Sequence, residues 1–483
     1  MRDALCGEFE RVRCSGKDKT MSIGCVRMPG VLKRQVVSRT STGSAHQRLA
    51  WLMLVAVICL SGFPRPAAAE DAVRLKWIDQ TVSELLPLYH HFHSHPELSF
   101  QEVETAKKLA EELRKAGFEV TEGVGKTGVV AILKNGDGPV VMMRGDMDAL
   151  PVTEQTGLAY ASKVIGKDKT GQSTGIMHAC GHDVHVTNLI GVARYFGQHR
   201  DRWQGTLMLI GQPAEEVGNG ALRMLEDGLF TKFPKPHYGL ALHCDARLEV
   251  GKIGYRAGYM LANVDSVDIT MLGKGGHGAY PQNTIDPIVM AAHLIVDLQS
   301  IVSRENSPFE PAVITVGAIH AGTKHNIISD RCHLQLTVRS YEPAVREKLL
   351  KAIERKAKAA AMSAGAPEPK VEVSDPTPAL KNDPALVERL LPVFAEELGR
   401  DKLVAADQSM GGEDFSQYGL AGVPVFMFRL GTVPAAKLKE WHEKRQDPPS
   451  LHSPLYYPEA EPTLRTGLRA TVAALCDLLP RRK

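Results

Sequence analysis

The stretch VVAILKNGDGPVVMMRGDMDALP (129–151) decides how this chain is read. It holds two short apolar runs, VVAIL (129–133) and VVMMR (140–144), separated by Asn, Gly, Asp and Pro. Runs this short, rich in Val and Ile and bounded by turn residues, read as strands. The second strand runs directly into an acidic loop, RGDMDALP (144–151). Asp146 and Asp148 are placed there to be ligands or to orient ligating histidines. An Asx turn before Pro151 would explain the same residues.

Outward from this stretch, strands and helices alternate. Asp71 to Gly117 is expected to be helical, with Ala106, Leu109, Ala110 and Leu113 on one face and Gly117 as its end. Val184 to Phe196 reads as a helix, Thr206 to Ile210 as a strand, and Tyr238 to His243 as another. This alternation argues for an α/β layer structure around a mostly parallel sheet. The pattern changes near Gly258. Strands are expected at Val264–Leu272, Ala312–Ile319 and Cys332–Ser340, with helices at Pro287–Ser303 and Pro343–Ala361. Val371–Ser374 is the candidate last strand, and PTPAL (376–380) marks an exit. A β-α-β-β-α-β order is the split βαβ arrangement of a small two-layer α+β domain. The α/β pattern then resumes with a strand at Val425–Leu430 and a helix at Pro462–Leu479. The expected organisation is a leader (1–69), a catalytic α/β domain in two parts (70–257 and 371–483), and an inserted domain (258–370).

Composition sets the outer limits. A chain of 483 residues at about 150 per domain suggests about three domains, or two with one split. Hydrophobic residues make up 43% and charged residues 23%, which is ordinary for a soluble globular protein and excludes disorder, collagen and a small disulfide scaffold. The net charge of +3 hides an asymmetry: residues 1–69 carry eleven Lys/Arg against four Asp/Glu, and the remainder is slightly acidic. Such a body has no electrostatic footprint for nucleic acid.

The basic excess belongs to a targeting segment. Arg34, Arg39 and Arg48 precede the apolar run Leu49–Phe63, and Ala67, Ala68 and Ala69 follow it. This is the order of a signal peptide with cleavage after Ala69, implying a periplasmic or secreted protein without a stable membrane anchor. An uncleaved N-terminal anchor is the alternative. Four of the eight cysteines, Cys6, Cys14, Cys25 and Cys59, fall in the leader. The remaining Cys180, Cys244, Cys332 and Cys476 are too scattered for a disulfide framework.

The strongest chemical signal is MHACGHDVH (177–185). Cys180, His182 and His185 fall within six residues at an expected loop-to-helix junction. Thiolate and imidazole suit Zn²⁺ or another borderline transition metal. A helix cap with ordinary histidines is the bland reading. GQPAEE (211–216) follows a strand, and ligands of α/β proteins gather at the carboxyl ends of strands. Two adjacent carboxylates there, Glu215 and Glu216, are costly unless one binds a cation and the other works as acid or base. On extended backbone they would point opposite ways; two solvated loop glutamates are the alternative. His243 ends YGLALH at the same edge, and His452 lies in LHSP. Together these groups converge as a hydrolytic metal site would. GKGGHG (273–278) matches a dinucleotide fingerprint only formally, because Asp297, which has the right spacing, falls inside an expected helix.

Taken together, these pieces resemble the M20 metallopeptidase family, in its amidohydrolase branch. The motifs carrying the resemblance are HSHPELSFQE (93–102), RGDMDALP, MHACGHDVH, GQPAEE, LH (242–243), GKGGHGAYP (273–281), HNIISD (325–330), TVRS (337–340), MGGEDFS (410–416) and LHSP. They span about residues 75 to 483. The resemblance implies one or two divalent transition metals (Zn²⁺, Mn²⁺, Co²⁺ or Ni²⁺) held by Cys180, His182, Glu216, His243 and His452. It implies Glu215 as general base, and Asn326 and Arg339 as holders of a substrate carboxylate. Gly411 and Gly412 would line the substrate pocket. Asp146, Asp148 and His185 would orient the ligands. The inserted domain would be a lid and a homodimerisation surface. His277 would reach the oxyanion of a partner subunit's substrate; a plain glycine-rich surface turn is the other reading of that segment. The implied activity is amide hydrolysis of N-acyl-L-amino acids of the hippurate type. A dipeptidase or carboxypeptidase acting on short peptides, and a non-catalytic periplasmic binding relative, are the alternatives.

Overall fold

The computed structural model describes residues 67–168 and 170–481. The expected signal segment Leu49–Phe63 lies outside the described residues, and Ala69 falls in the first turn of the first described helix, Ala67–Ser94. Among the described residues no helix is long and apolar enough to cross a membrane.

The central sheet has eight strands, in the spatial order Glu119–Val124, Gly128–Asn135, Gly205–Gln212, Val140–Asp146, Tyr238–Glu249, Val425–Val433, Ile253–Tyr255 and Leu403–Ala405. Its middle four strands, from Gly205–Gln212 to Val425–Val433, are mutually parallel. Antiparallel pairings flank them on both sides. Val141 and Met143 enter one apolar cluster and Met142 another, on the opposite face. That is why these strands read as continuous apolar runs rather than alternating ones. The helices Ala67–Ser94, His182–Gln198, Pro384–Leu398 and Ala460–Leu478 supply the larger cluster through residues such as Leu85, Leu189, Leu390 and Leu468.

One expected helix is two. The segment Asp71–Gly117 breaks between Ser94 and Val103, giving the helices Ala67–Ser94 and Val103–Lys115. Pro96 accounts for the break, since the residue before proline is driven out of the helical region. The intervening loop carries Phe100 at φ 62 and leads to the buried Glu102.

The second sheet has four antiparallel strands in the order Val313–Ala321, Arg331–Ser340, Asn263–Leu272 and Lys370–Thr377. Buried and part-buried residues alternate strictly along Asn263–Leu272, as in a sheet covered on one face. The helices Pro287–Ser300 and Pro343–Ser363 provide that cover, through Leu294, Leu298, Leu349 and Ile353. Chain order and pairing are those of a split βαβ unit. Its last strand runs to Thr377, past residue 370. The chain enters and leaves through Gly258–Leu261 and Leu380–Asn382, which pair antiparallel and so place both crossings side by side. The fold is therefore mixed α/β, with a large mostly parallel sheet and a smaller antiparallel α+β layer inserted in sequence.

Candidate metal centre

Five separate segments meet at the carboxyl end of the parallel strands. Val140–Asp146 delivers Asp146 and then Asp148. Gly205–Gln212 leads to Glu215 and Glu216. Tyr238–Glu249 carries His243. The loop before the helix His182–Gln198 carries Cys180, and a C-terminal loop carries His452. That helix begins at Gly181, whose φ of 80 is left-handed. A Cβ at this position would lie 2.9 Å from Cys244 Sγ, so glycine is required on both conformational and steric grounds. His452 is held by its own backbone N–H, which donates to Ala179 O at 2.8 Å.

The donor atoms converge. Cys180 Sγ lies 3.7 Å from His243 Nε2. His182 Nε2 lies 3.8 Å from Glu216 Oε1 and 3.9 Å from Glu215 Oε2. His452 Nε2 lies 3.4 Å from Glu216 Oε2. Cys180, His182 and His243 form one group with ligand spacing, and Cys180, Glu216 and His452 form another. The histidine tautomers are set from behind. His182 Nδ1 donates to Asp148 O at 2.8 Å, and His243 Nδ1 donates to Cys244 O at 2.8 Å. Each therefore presents Nε2 to the centre. His182 Nε2 and Glu216 Oε1 are buried and have no hydrogen-bond partner. Buried polar atoms are nearly always satisfied, so a donor set of this kind, left open at its middle, fits a divalent transition metal.

His185 is not part of that donor set. Its Nδ1 donates to Asp146 Oδ1 at 2.5 Å, and its Nε2 accepts from Cys244 N at 3.0 Å. Both ring nitrogens are used, and the ring locks Asp146 to the strand bearing His243. Asp148 works on the backbone as well as on His182. Its Oδ1 and Oδ2 accept the Glu215 and Glu216 N–H groups at 3.1 and 3.0 Å.

The two glutamates do not sit on extended backbone, and their carboxylates do not diverge. Glu215–Val217 is a 3₁₀ turn, entered through Ala214 at φ 52, ψ 41. The left-handed residue ends the strand and turns both carboxylates toward His182. Electrostatics then becomes severe. Burial, followed by Glu413, Glu216 and Asp414, pushes the Glu215 carboxyl well above its ordinary range. Burial raises Glu216 to about 8, with His182 opposing. Burial and the two glutamates push the Cys180 thiol up. Burial holds the His243 imidazole well down, with Arg429 adding to it. Burial also opposes protonation of His182, but Asp146 leads a set of carboxylates that raises it to about 10. A cation at the centre would relieve all of the carboxylates together.

The roles of Arg144, Gln212, Glu413 and Asp414 were not read from the sequence. Arg144 is 1% exposed. It donates to Gln212 Oε1 (2.9 Å), Asp146 Oδ2 (2.5 Å), Glu413 Oε1 (2.8 Å) and Asp414 Oδ1 (3.2 Å). The guanidinium is thus a fixed counter-ion inside the site. Asp414 is pushed to about 7 by burial, against Arg144 and with Glu413. The adjacent acids of MGGEDFS were the available signal for this cluster.

The expected substrate residues form two further groups. Arg339 is half-buried; its NH1 donates to Met410 O at 2.7 Å and its Nε to Thr337 Oγ1 at 3.2 Å. Val264, its cross-strand neighbour, abuts Gly412, where a Cβ would come within 2.7 Å of Val264 Cγ2. Gly411 O accepts from Ala262 N at 2.9 Å. Arg339, Gly411 and Gly412 are therefore together, at the seam between the two sheets. His277 and Asn326 sit elsewhere, on a small ladder pairing Gly276–His277 with Ile327–Ile328. Gly278 N donates to Asn326 O at 2.9 Å. His277 is exposed, and its Nδ1 accepts from Ala279 N at 3.0 Å. Neither residue touches the metal centre of its own chain among the described contacts.

Residues 142–451 match the model of "Peptidase family M20/M25/M40". The chain is 38% identical over 362 residues to an N-acetylcysteine deacetylase of Bacillus subtilis, covering 74% of this chain and 90% of that protein. It is 35% identical over 378 residues to the IAA-amino acid hydrolase ILR1-like 2 of Arabidopsis thaliana, covering 77% and 80%. Among solved structures, a B. subtilis protein described as a dinuclear metal-binding peptidase of the M20 family superposes with a TM-score of 0.65. The two share 32% identity over 82% of this chain and 98% of that one.

Proposed function

The chain belongs to peptidase family M20/M25/M40 and is a metal-dependent amide hydrolase; on that premise we propose that its substrates are N-acyl-L-amino acids, cleaved to a carboxylic acid and an amino acid. The observation that carries the reading is the open donor set: Cys180, His182, Glu216, His243 and His452 around the unpartnered His182 Nε2 and Glu216 Oε1. These residues would hold one or two divalent metals. When bound, such a metal activates water and polarises the amide carbonyl.

The rest of the chemistry belongs to the chain's own side chains. Glu215 stands beside the donor set with its carboxyl pushed up by burial, which suits a group that must both take and return a proton. It accepts the proton of the attacking water and passes it to the leaving nitrogen. Arg339 pairs with the free α-carboxylate of the substrate, using the face of its fork not already given to Met410 O and Thr337. Gly411 and Gly412 let the 410–412 loop line the pocket closely, while Asn326, which shares the ladder of His277 and not the surroundings of Arg339, would support that carboxylate from the partner subunit. His277 is exposed on the inserted α+β layer and serves the site of a partner subunit in a homodimer. The deacetylase and the IAA-amino acid hydrolase among the relatives support an N-acyl amino acid over a longer peptide. The basic, apolar and Ala-rich order of residues 34–69 supports export to the periplasm or beyond.

A panel of N-acetyl, N-benzoyl and N-indoleacetyl amino acids, run beside dipeptides on metal-reconstituted protein, tests this reading. N-acyl amino acids are expected to be turned over with at least ten-fold higher kcat/KM (~1.4 kcal/mol) than any dipeptide. A dipeptide as the best substrate would replace it.

A further inference from the structure

Three consecutive backbone N–H groups, those of Ala214, Glu215 and Glu216, are each capped by a buried carboxylate oxygen. Asp148 takes the last two. The first donates to Glu102 Oε1 at 2.8 Å. Glu102 is 0% exposed, and its other oxygen accepts from Thr127 Oγ1 at 2.6 Å. It thus joins the second helix and the Gly128–Asn135 edge to the turn that aims Glu215.

The residue it caps is the strained one. Ala214 is at φ 52 with a Cβ, a conformation that non-glycine residues rarely adopt and that persists only where the surroundings over-determine it. The turn is packed on its far side as well: a Cβ at Gly220 would come within 1.5 Å of Pro213 O. Without an acceptor for the Ala214 N–H, one of the three caps that hold the turn after Pro213 is lost and extended backbone competes with it. On extended backbone Glu215 and Glu216 would diverge to opposite faces. We propose that Glu102 is a positioning residue which, by capping Ala214 N–H, holds the left-handed turn that brings Glu215 and Glu216 to the same centre. This rests on the reading of Glu215 as general base.

Kinetics on metal-saturated, full-length protein test it, with Glu215→Gln as the reference for the base itself. Glu102→Ala is expected to lower kcat about 10–100-fold, as loss of an outer-shell partner does, with KM changed less than about three-fold. Glu102→Gln keeps an acceptor oxygen and is expected to stay within about three-fold of the parent. The decisive variant is the pair Glu102→Ala with Ala214→Gly. Glycine adopts the left-handed region without a cap, so the pair is expected to recover most of the lost kcat. A merely structural Glu102 would not be rescued by glycine at 214. Should Glu102→Ala not fold, Thr127→Val frees only Oε2; it is expected to lower kcat about three- to ten-fold and to be rescued by Ala214→Gly in the same way. Parent-like kcat in Glu102→Ala, or no rescue by glycine, overturns the proposal. If Glu215→Gln is itself fully active, the reading of the base fails instead.

Discussion

Cys180 Sγ lies 3.7 Å from Nε2 of His243, although the two residues come from different segments of the chain. Neither atom has a proton to spare for the other in the metal-bound form, because a ligating thiol is deprotonated and a ligating imidazole is neutral. Bound metal is expected to protect Cys180 from alkylation, and chelation to expose it as the centre loosens. Mass-spectrometric labelling with and without chelator checks this. Equal labelling in both states would make Cys180 a structural cysteine.

A second prediction concerns pH and stability away from the metal. His93 is buried between two carboxylates, with Nδ1 2.7 Å from Asp183 Oδ2 and Nε2 3.1 Å from Glu154 Oε1. Burial opposes its protonation, but the Asp183 and Glu154 hydrogen bonds win and raise it to about 9, from an ordinary 6.5. A raised folded-state value stabilises the fold when the group is protonated. That contribution is fully present below about pH 6.5 and is lost as pH rises through about 9. Denaturation of the parent and of His93→Gln should differ most below pH 6.5, and the gap should narrow steadily toward pH 9.5. A gap independent of pH would assign His93 to packing alone.

The exposed position of His277 makes a prediction about subunits. If His277 acts in a partner's site, mixing inactive Glu215→Gln with inactive His277→Ala and allowing exchange creates one site with both residues intact. Activity should reappear in the mixture. Each single variant is expected to lose about 10²–10³-fold or more, the range for removing an oxyanion donor or a general base. No recovery after verified exchange would place His277 in its own subunit's site, and full activity of His277→Ala alone would remove it from catalysis.

How much of this was legible depends on range. The inner strands of the central sheet and the four of the second sheet could be read because their signals are local: unbroken apolar runs where both faces are covered, strict alternation along 263–272 where one is. The edge strands Glu119–Val124, Ile253–Tyr255 and Leu403–Ala405 could not, being too short or too exposed to carry an apolar pattern. The pairing of Cys180 with His182 was legible for the same reason, since the two share a short motif, whereas Glu216, His243 and His452 stand in separate segments and were assigned from the family resemblance. The helix break at Pro96 was also present in the sequence but was overridden by the helical periodicity around it. So was the Asp383–Pro384 pair that starts the helix Pro384–Leu398, with the Asp383 side chain accepting from Leu386 N. What could not be read was long-range or conformational. Nothing local marks Ala214 as left-handed, so Glu215 and Glu216 looked divergent. Nothing near Arg144 announces that Glu413 and Asp414, some 270 residues away, complete its fork. His452 likewise takes φ 69 in a loop pinned to Ala179, a contact far away in sequence.

The most direct measurement is turnover and metal content of Glu215→Gln, made side by side on one preparation. The amide keeps the size and hydrogen bonding of the carboxyl but cannot accept a proton. Metal content is expected to equal that of the parent, because Cys180, His182, Glu216, His243 and His452 are all intact. Turnover of the best N-acyl amino acid is expected to fall by about 10²–10⁴-fold. Turnover within a few-fold of the parent, with metal retained, would contradict Glu215 as the group that moves the proton.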